Sequence, residues 1–300
     1  VSGFAVECWT LNECRGMKAN DGIVRAVFIQ WRLWGMHSPS SSFDLREIYS
    51  VLQARGLDWM RLPEYFASIS STNDYLLSMP GSVHGCVCIA DFQTRGRGRR
   101  GKQWRASPGS NLMFSLGWKP SGRVSSEVAL LVGLALADAL GKSGIEGLGL
   151  KWPNDVLLHG RKVAGILVES RSLGGESEII MGMGLNIAHR EQDLGGVDRP
   201  WTDLAQQGSG EVNRQELLLT VLGELGARLA QLEAQGFEPI RRDWIAYHVF
   251  EGEWMTYQYQ GKVQAGRVRG LSEEGALLLE TGGEVVAVSS GEVSSLRADR

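Results

Sequence analysis

Cysteine is scarce in this chain: Cys8, Cys14, Cys86 and Cys88 are the 4 in 300 residues, too few and too unevenly placed for a disulfide framework. The 5 histidines, His37, His84, His159, His189 and His248, lack the spacing of a metal site or a catalytic triad. No apolar run reaches the roughly 20 residues a membrane-spanning helix needs. The longest, Val128 to Leu140, falls well short of that. Residues 1–35 contain Glu7, Glu13 and Asp21 and lack a basic segment leading into an apolar one, so they do not read as a secretory signal. Neither sign of charge dominates, with 31 Lys and Arg against 34 Asp and Glu. That balance excludes a global positive field for nucleic acid or anionic membrane. Together these absences predict a cytoplasmic protein with reduced thiols and no membrane span.

What is present is an ordinary globular composition, 43% hydrophobic and 22% charged, with chain enough for one large core and a smaller second domain. The first 35 residues, with Trp9, Trp31 and Trp34 in no clear period, read as an extension or as sequence upstream of a true start at Met17 or Met36. Asp44 with Glu47 resembles a helix-capping pair, Leu45, Ile48 and Leu52 recur at helical spacing, and Gly56 stops the turn. Strands are expected over 87–93, 111–118, 149–152, 162–169 and 178–188. In 111–118 the alternation of Leu112, Phe114, Leu116 and Trp118 predicts one buried face. Helices are expected over 125–142, apolar nearly all round, and over 218–236, where leucines step four and three residues apart. After 249 the texture becomes short strands broken at Gln260-Gly261, Glu274-Gly275 and Gly282-Gly283, a small all-β module. Adjacent strand runs with grouped helices predict an α+β fold.

The most informative stretch is Arg95 to Arg105, which holds six positive side chains and no acidic one. Its Gly96-x-Gly98-x-x-Gly101 spacing matches a dinucleotide fingerprint, but Ser107-Pro108-Gly109-Ser110 follows where a helix should open, and no acid appears before Glu127. Gly141-Lys142-Ser143 mimics the end of a phosphate loop, yet sits where a helix should terminate. A Gly/Arg alternation suits a mobile loop that folds over a small polyanion. Taken alone it also suits a solvated basic loop or a nucleic-acid contact. Lys151-Trp152-Pro153-Asn154-Asp155 ends a strand in a turn, and the following strand carries Lys162. One hairpin therefore gathers cations for oxyanions and a carboxylate suited to magnesium. The glycines of Gly182-Met183-Gly184-Leu185-Asn186 signal backbone crowding or a ligand close to the main chain. Cys86 and Cys88, two apart on a strand, are expected to pack on one face.

In order and spacing, Ser71-Thr72-Asn73-Asp74-Tyr75-Leu76, the Arg/Gly loop, Lys-Trp-Pro-Asn-Asp, Arg161-Lys162-Val163-Ala164-Gly165-Ile166-Leu167-Val168-Glu169 and Gly-x-Gly-x-Asn resemble the biotin protein ligases, across about 65–300. The resemblance implies a catalytic domain like that of class II aminoacyl-tRNA synthetases, over 61–248, and an SH3-like barrel over 249–300, after an N-terminal extension over 1–60. It implies two steps: biotin and ATP with Mg2+ give biotinyl-5′-AMP, and the adenylate then acylates a lysine of the biotin carboxyl carrier protein. Carried over by motif, Ser71, Thr72, Asn73, Gln93, Arg97, Gly98, Arg99 and Lys162 fall to biotin, with Arg97, Arg99 and Lys162 catalytic. Arg100, Lys151, Asn154, Asp155 and Asn186 fall to ATP, with Asp155 also on the metal. Related enzymes often pair through sheet edges, which leaves a homodimer open.

Joining a carboxylate to a phosphate brings two anions together, so positive charge aimed at the reacting centre is the main requirement, and no nucleophile from the chain itself is needed. Closing the loop would also keep water from the adenylate, with Trp104 as a lid anchor or a core residue. Ser71 also reads as a helix N-cap. The 1–60 segment shows one helix and no basic recognition helix, so operator binding is not expected. A lipoate ligase and a single-strand nucleic-acid binder remain the rival readings, the latter weakened by an acidic 249–300 module.

Overall fold

Two β-sheets organise the chain. The computed structural model describes residues 43–122, 127–188, 200–208, 212–259, 262–291 and 293–295. The expected 1–35 extension and the Gln260-Gly261 turn lie outside these residues. The larger sheet holds β1 (Glu64–Phe66), β2 (Val87–Ala90), β3 (Asn111–Trp118), β4 (Leu148–Lys151), β5 (Asp155–Leu158), β6 (Arg161–Leu173) and β7 (Glu176–Asn186). They lie in the order β1-β2-β3-β7-β6-β5-β4, with β1 parallel to β2 and the other pairs antiparallel. The smaller sheet is β8 (Trp254–Tyr259), β9 (Lys262–Leu271), β10 (Leu277–Thr281), β11 (Glu284–Val288) and β12 (Val293–Ser295), ordered β11-β10-β9-β8-β12 and antiparallel throughout.

Side-chain alternation along the large sheet sets its two faces. Leu112, Phe114, Leu116 and Trp118 of β3 and Ile179, Met181, Met183 and Leu185 of β7 enter the main core. That core also holds α3 (Glu127–Lys142), buried from Val128 to Leu140 except at Ala129 and Asp138, as its almost wholly apolar sequence requires. α4 (Arg214–Gln235) and α5 (Glu238–Tyr247) pack against α3, and α1 (Leu45–Ala54) against α4. The capping pair at α1 is half-formed. The Asp44 side chain accepts from the Arg46 and Glu47 N–H groups, but Glu47 Oε2 takes its hydrogen bond from Gln215 Nε2 at 2.7 Å, fastening α1 to the start of α4.

The alternation in β3 predicts one buried face, but all eight of its residues are buried. Its second face is covered by α2 (Thr72–Ser78), which packs over β2, β3, β6 and β7. Leu76 joins Val83, Cys86, Cys88 and Ile180 in a second cluster there, and both cysteines are free and packed, as their spacing suggests. Arg171 satisfies the far end of α2 by donating to the Leu76, Leu77 and Met79 carbonyls. Its partner Glu178 is 1% exposed. Burial alone would raise the Glu178 pKa, but hydrogen bonds from Ser82, Arg171 and the Val83 N–H hold it below the usual carboxylate range.

The smaller sheet shares the main core through Met255, Tyr257, Val268, Leu277 and Leu279. Trp152 Nε1 donates to the Gly275 carbonyl at 3.1 Å, and Arg241 Nη1 to that of Leu271 at 3.0 Å. At this junction His248 lies against Trp244 and Phe250, 7% exposed. Burial pushes its pKa down from 6.5 to about 4. The folded chain therefore binds fewer protons than the unfolded chain between those values, and stability falls as the pH drops from about 6.5 towards 4. The loss attributable to His248 is roughly 3 kcal/mol. Urea unfolding at pH 7 and pH 4.5 should show His248→Phe losing about 2–3 kcal/mol less than the parent chain; equal losses would contradict a buried neutral imidazole.

Candidate active site

The second face of the large sheet is nearly bare where β3, β6 and β7 meet. Gly165 pairs with Gly184 across β6 and β7, and Gly182 sits between Ser115 and Leu167. A Cβ on Gly182 would overlap Asn73 Oδ1, and one on Gly165 would come 2.9 Å from the Trp104 ring. The glycines that the sequence marks for close approach thus receive α2 and an indole. Above them opens a cavity of about 390 Å³, within the range of small-molecule sites.

One wall is neutral and hydrogen-bonding. Ser71 caps α2, accepting from the Asp74 N–H at 3.3 Å. The Thr72 N–H and hydroxyl donate to Gln93 Oε1 at 2.8 and 3.2 Å. Ser115 Oγ lies 2.7 Å from Thr72 Oγ1 and 2.6 Å from Asn73 Oδ1. Ser71, Thr72, Asn73 and Ser115 are all buried.

A second wall is cationic. The Gly/Arg stretch folds as a short hairpin: the Gly98 N–H donates to the Lys102 carbonyl at 2.6 Å, the Trp104 N–H to that of Gly96 at 3.0 Å, and Arg97 pairs with Gln103. No α-helix opens from it, in agreement with the rejected dinucleotide fingerprint. Gly96 is required there, since its Cβ would meet the Trp104 carbonyl at 2.6 Å. Arg97 Nη2 lies 2.6 Å from Asp74 Oδ1 and 2.7 Å from Glu169 Oε2. Burial works against its charge, but these carboxylates outweigh it and hold the guanidinium pKa above its ordinary value. Lys162 Nζ contacts Asp155 Oδ1 at 2.6 Å and stands 5.7 Å from the centroid of a Trp104 ring. Lys151 pairs with Asp155 across β4 and β5. Asn154 clamps the β4–β5 turn onto β6, donating from Nδ2 to the Ile166 carbonyl at 2.7 Å and accepting the Ile166 N–H at its own carbonyl.

Of the residues singled out in the sequence, Ser71, Thr72, Asn73, Gln93, Arg97, Gly98, Arg99, Lys151, Asn154, Asp155, Lys162 and Asn186 all line this cavity. Arg100 does not. Its backbone is left-handed, with φ 55°, and its guanidinium lies beside Gly291 of the smaller sheet's last turn. Asn186 lines the wall with its amide engaged, donating to the Thr202 carbonyl and accepting from Asn111 Nδ2, each at 3.0 Å. Motif reading passed over Ser115, Glu169 as a partner of Arg97, Trp201, and Val293 from the smaller sheet. Trp201 reaches the wall because 200–202 runs beside Lys162, exchanging backbone hydrogen bonds with it. Gly141-Lys142-Ser143 ends α3, with Ser143 Oγ donating to the Ala139 carbonyl at 2.9 Å.

A neutral donor–acceptor pocket beside a cluster of guanidinium and ammonium groups defines a site that seats a small anion-bearing ligand, on an α+β scaffold. Comparison with known proteins narrows the class. Residues 65–186 match the biotin/lipoate A/B protein ligase family and residues 256–295 the biotin protein ligase C-terminal domain. The bifunctional ligase/repressor BirA of Escherichia coli is 35% identical over 238 residues, covering 77% of this chain and 73% of its own. The biotin–(acetyl-CoA-carboxylase) ligase of Paracoccus denitrificans is 37% identical, with 71% and 92% covered. That of Mycobacterium tuberculosis is 31% identical, with 85% and 96% covered. Among solved structures, the biotin protein ligase from Aquifex aeolicus in complex with biotin and ATP superposes with a TM-score of 0.70 at 29% identity, over 79% of this chain and 99% of that one. The chain belongs to the biotin protein ligase family, the ATP-dependent enzymes that attach biotin to protein.

The crowding at Gly182 gives a direct check. Gly182→Ala must displace the buried, hydrogen-bonded Asn73, and overpacking of this kind costs about 1–3 kcal/mol. Chemical unfolding should show that loss, and an unchanged unfolding free energy would refute the close approach.

Proposed function

We propose that this chain joins biotin to ATP in the cavity over Gly165, Gly182 and Gly184, giving biotinyl-5′-AMP and pyrophosphate, and passes the biotin to a lysine of the biotin carboxyl carrier protein of acetyl-CoA carboxylase. In this reading 61–248 does the chemistry and 249–300 is the appended barrel. The supporting observation is that the neutral group around Asn73 and the cations Arg97, Arg99, Lys151 and Lys162 share one cavity.

The ureido ring of biotin carries donors and an acceptor that need partners once buried. Thr72, Asn73, Gln93 and Ser115 offer both kinds. The valeryl carboxylate then reaches Lys162, whose ammonium has three donors and so retains Asp155 while binding a substrate oxygen. A carboxylate oxygen attacks the α-phosphorus and the bond to the leaving pyrophosphate breaks. Lys162, Lys151 and Arg99 offset the charge gathered there. In the second step the carrier's lysine amine attacks the acyl carbon, AMP leaves, and a proton is lost from nitrogen as the amide forms. The nucleophile in this step comes from the partner.

Among the described residues no cluster of three or more His, Cys, Asp or Glu is arranged to hold a metal ion. Magnesium would enter on the ATP phosphates, and Asp155, which lines the cavity, is the carboxylate that would meet it, since Mg2+ is commonly held by one or two carboxylates plus substrate phosphates. Such an ion would neutralise phosphate charge. The reading carries a cytoplasmic setting with it. None of the described helices is long and apolar enough to cross a membrane.

Incubation with biotin, MgATP and an apo carrier domain should add one biotin mass to a single lysine; lipoate as the only accepted acid would overturn the substrate. Lys162→Ala should slow biotin-dependent pyrophosphate exchange by roughly 10²–10³-fold while the circular dichroism is kept, and near-normal exchange would remove Lys162 from the chemistry. Arg99→Ala should release free biotinyl-5′-AMP during turnover, read by chromatography of the filtrate; retention equal to the parent chain contradicts its part in holding the adenylate.

A further inference from the structure

Glu169 has no part in the chemistry above, yet it stands at a junction. Its Oε2 accepts from Asn73 Nδ2 at 2.9 Å and from Arg97 Nη2 at 2.7 Å. Asn73 is 3% exposed, and its other amide atom, Oδ1, takes the hydrogen bond from Ser115 in the neutral wall. Arg97 is tied through its backbone to Gln103, so whatever fixes its side chain fixes the flap hairpin. The same guanidinium nitrogen reaches Asp74 Oδ1, a carboxylate 39% exposed and hence more screened than Glu169 at 23%.

We propose that Glu169 is a positioning residue that couples the seating of the biotin head group at Asn73 to closure of the flap through Arg97, with Asp74 as a weaker second anchor. A ligand N–H donating to Asn73 Oδ1 polarises the amide and strengthens its Nδ2 donation to Glu169, drawing the carboxylate into the arrangement that holds Arg97. Coupling of this kind is reciprocal: a flap held shut raises affinity for the head group by the factor with which the head group favours closure. The identity of the ligand rests on the reading above, whereas the Asn73–Glu169–Arg97 link is made by protein atoms alone.

Hydrogen–deuterium exchange across 96–104 tests it in the full chain. With no ligand added, Glu169→Gln should speed exchange there about tenfold, the loss expected of one charge-assisted hydrogen bond, and leave β3 and β7 unchanged. Arg97→Gln, which loses both anchors, should speed exchange more, about thirtyfold, and the double variant should exchange no faster than Arg97→Gln alone. Asp74→Asn, which leaves the buried Asn73–Glu169 contact in place, should give a smaller rise, about threefold. In adenylation, Glu169→Gln should raise the KM for biotin about tenfold with kcat kept within about threefold, a split that a merely structural role would not produce. Parent-like exchange in Glu169→Gln, or single effects that multiply in the double variant, overturns the proposal. The expected exchange pattern in a chain that shows no response to biotin would sink the ligand assignment and support the link.

Discussion

A single cross-strand row holds the site together. Met113, Gly184, Gly165, Asp155 and Lys151 are register partners across β3, β7, β6, β5 and β4. Its second and third members lack side chains, so the sheet's second face is bare there while Asp155 and Lys151 stand at one flank. Trp104 lies across the bare stretch and Lys162 reaches over to Asp155. A side chain at Gly184 or Gly165 would lift the indole and, with it, the hairpin that ends at Trp104. Since side chains alternate along a strand, β7 can give Met183 and Leu185 to the core only by presenting Gly182 and Gly184 to the cavity.

Electrostatics then decide how the walls behave. Clustered cations repel, and three of those in the wall have a counter-charge or a ring against them. Arg97 has Asp74 and Glu169, Lys162 has Asp155 and Trp104, and Lys151 stands 5.6 Å from the Phe250 centroid. An anionic ligand competes with these contacts, so its binding is an exchange of partners and not the filling of bare charge. The exposed or half-exposed pairs are cheap to exchange, because solvent screens them. The contact between Glu169 and the 3%-exposed Asn73 is dearer, and that difference lets one anchor persist while the others turn over.

Much of this was legible in the sequence where local chemistry is decisive. Leucine spacing predicts α4, the almost wholly apolar 128–140 run predicts α3, and Glu274-Gly275 and Gly282-Gly283 of the last module fall at turns with positive φ. The five motifs supply the cavity's residues from the start of α2, the Gly/Arg hairpin, the β4–β5 turn, β6 and the end of β7. What escaped was non-local. α5 carries only Ile240 and Trp244 into the core, too weak a period to announce itself. Burial of both faces of β3 depends on α2, whose seven residues give a helix signal only at the Ser71 cap. Arg100 belongs to the same charge run as its neighbours, and only the left-handed turn at its Cα sends it away from the wall. No sequence spacing links Asn73 with Glu169; strand register does.

The smaller sheet belongs to the site's construction. Trp152 lies between Lys151 and the Asn154–Asp155 turn, and it is 2% exposed with its indole N–H on the Gly275 carbonyl. The turn that presents Lys151 and Asp155 is therefore braced from behind by the β9–β10 connection, where Gly275 packs on Leu130 and Phe237. From the other side Val293 of β12 enters the cavity wall, and Arg99 Nη1 comes within 3.5 Å of the Gly291 carbonyl. The cationic half of the cavity thus lies between elements of both sheets, while the neutral half around α2 is built from the larger sheet alone. Under the proposed assignment, the two substrates would then report on different parts of the fold: the acid on α2 and its sheet, the nucleotide on the joint between the sheets.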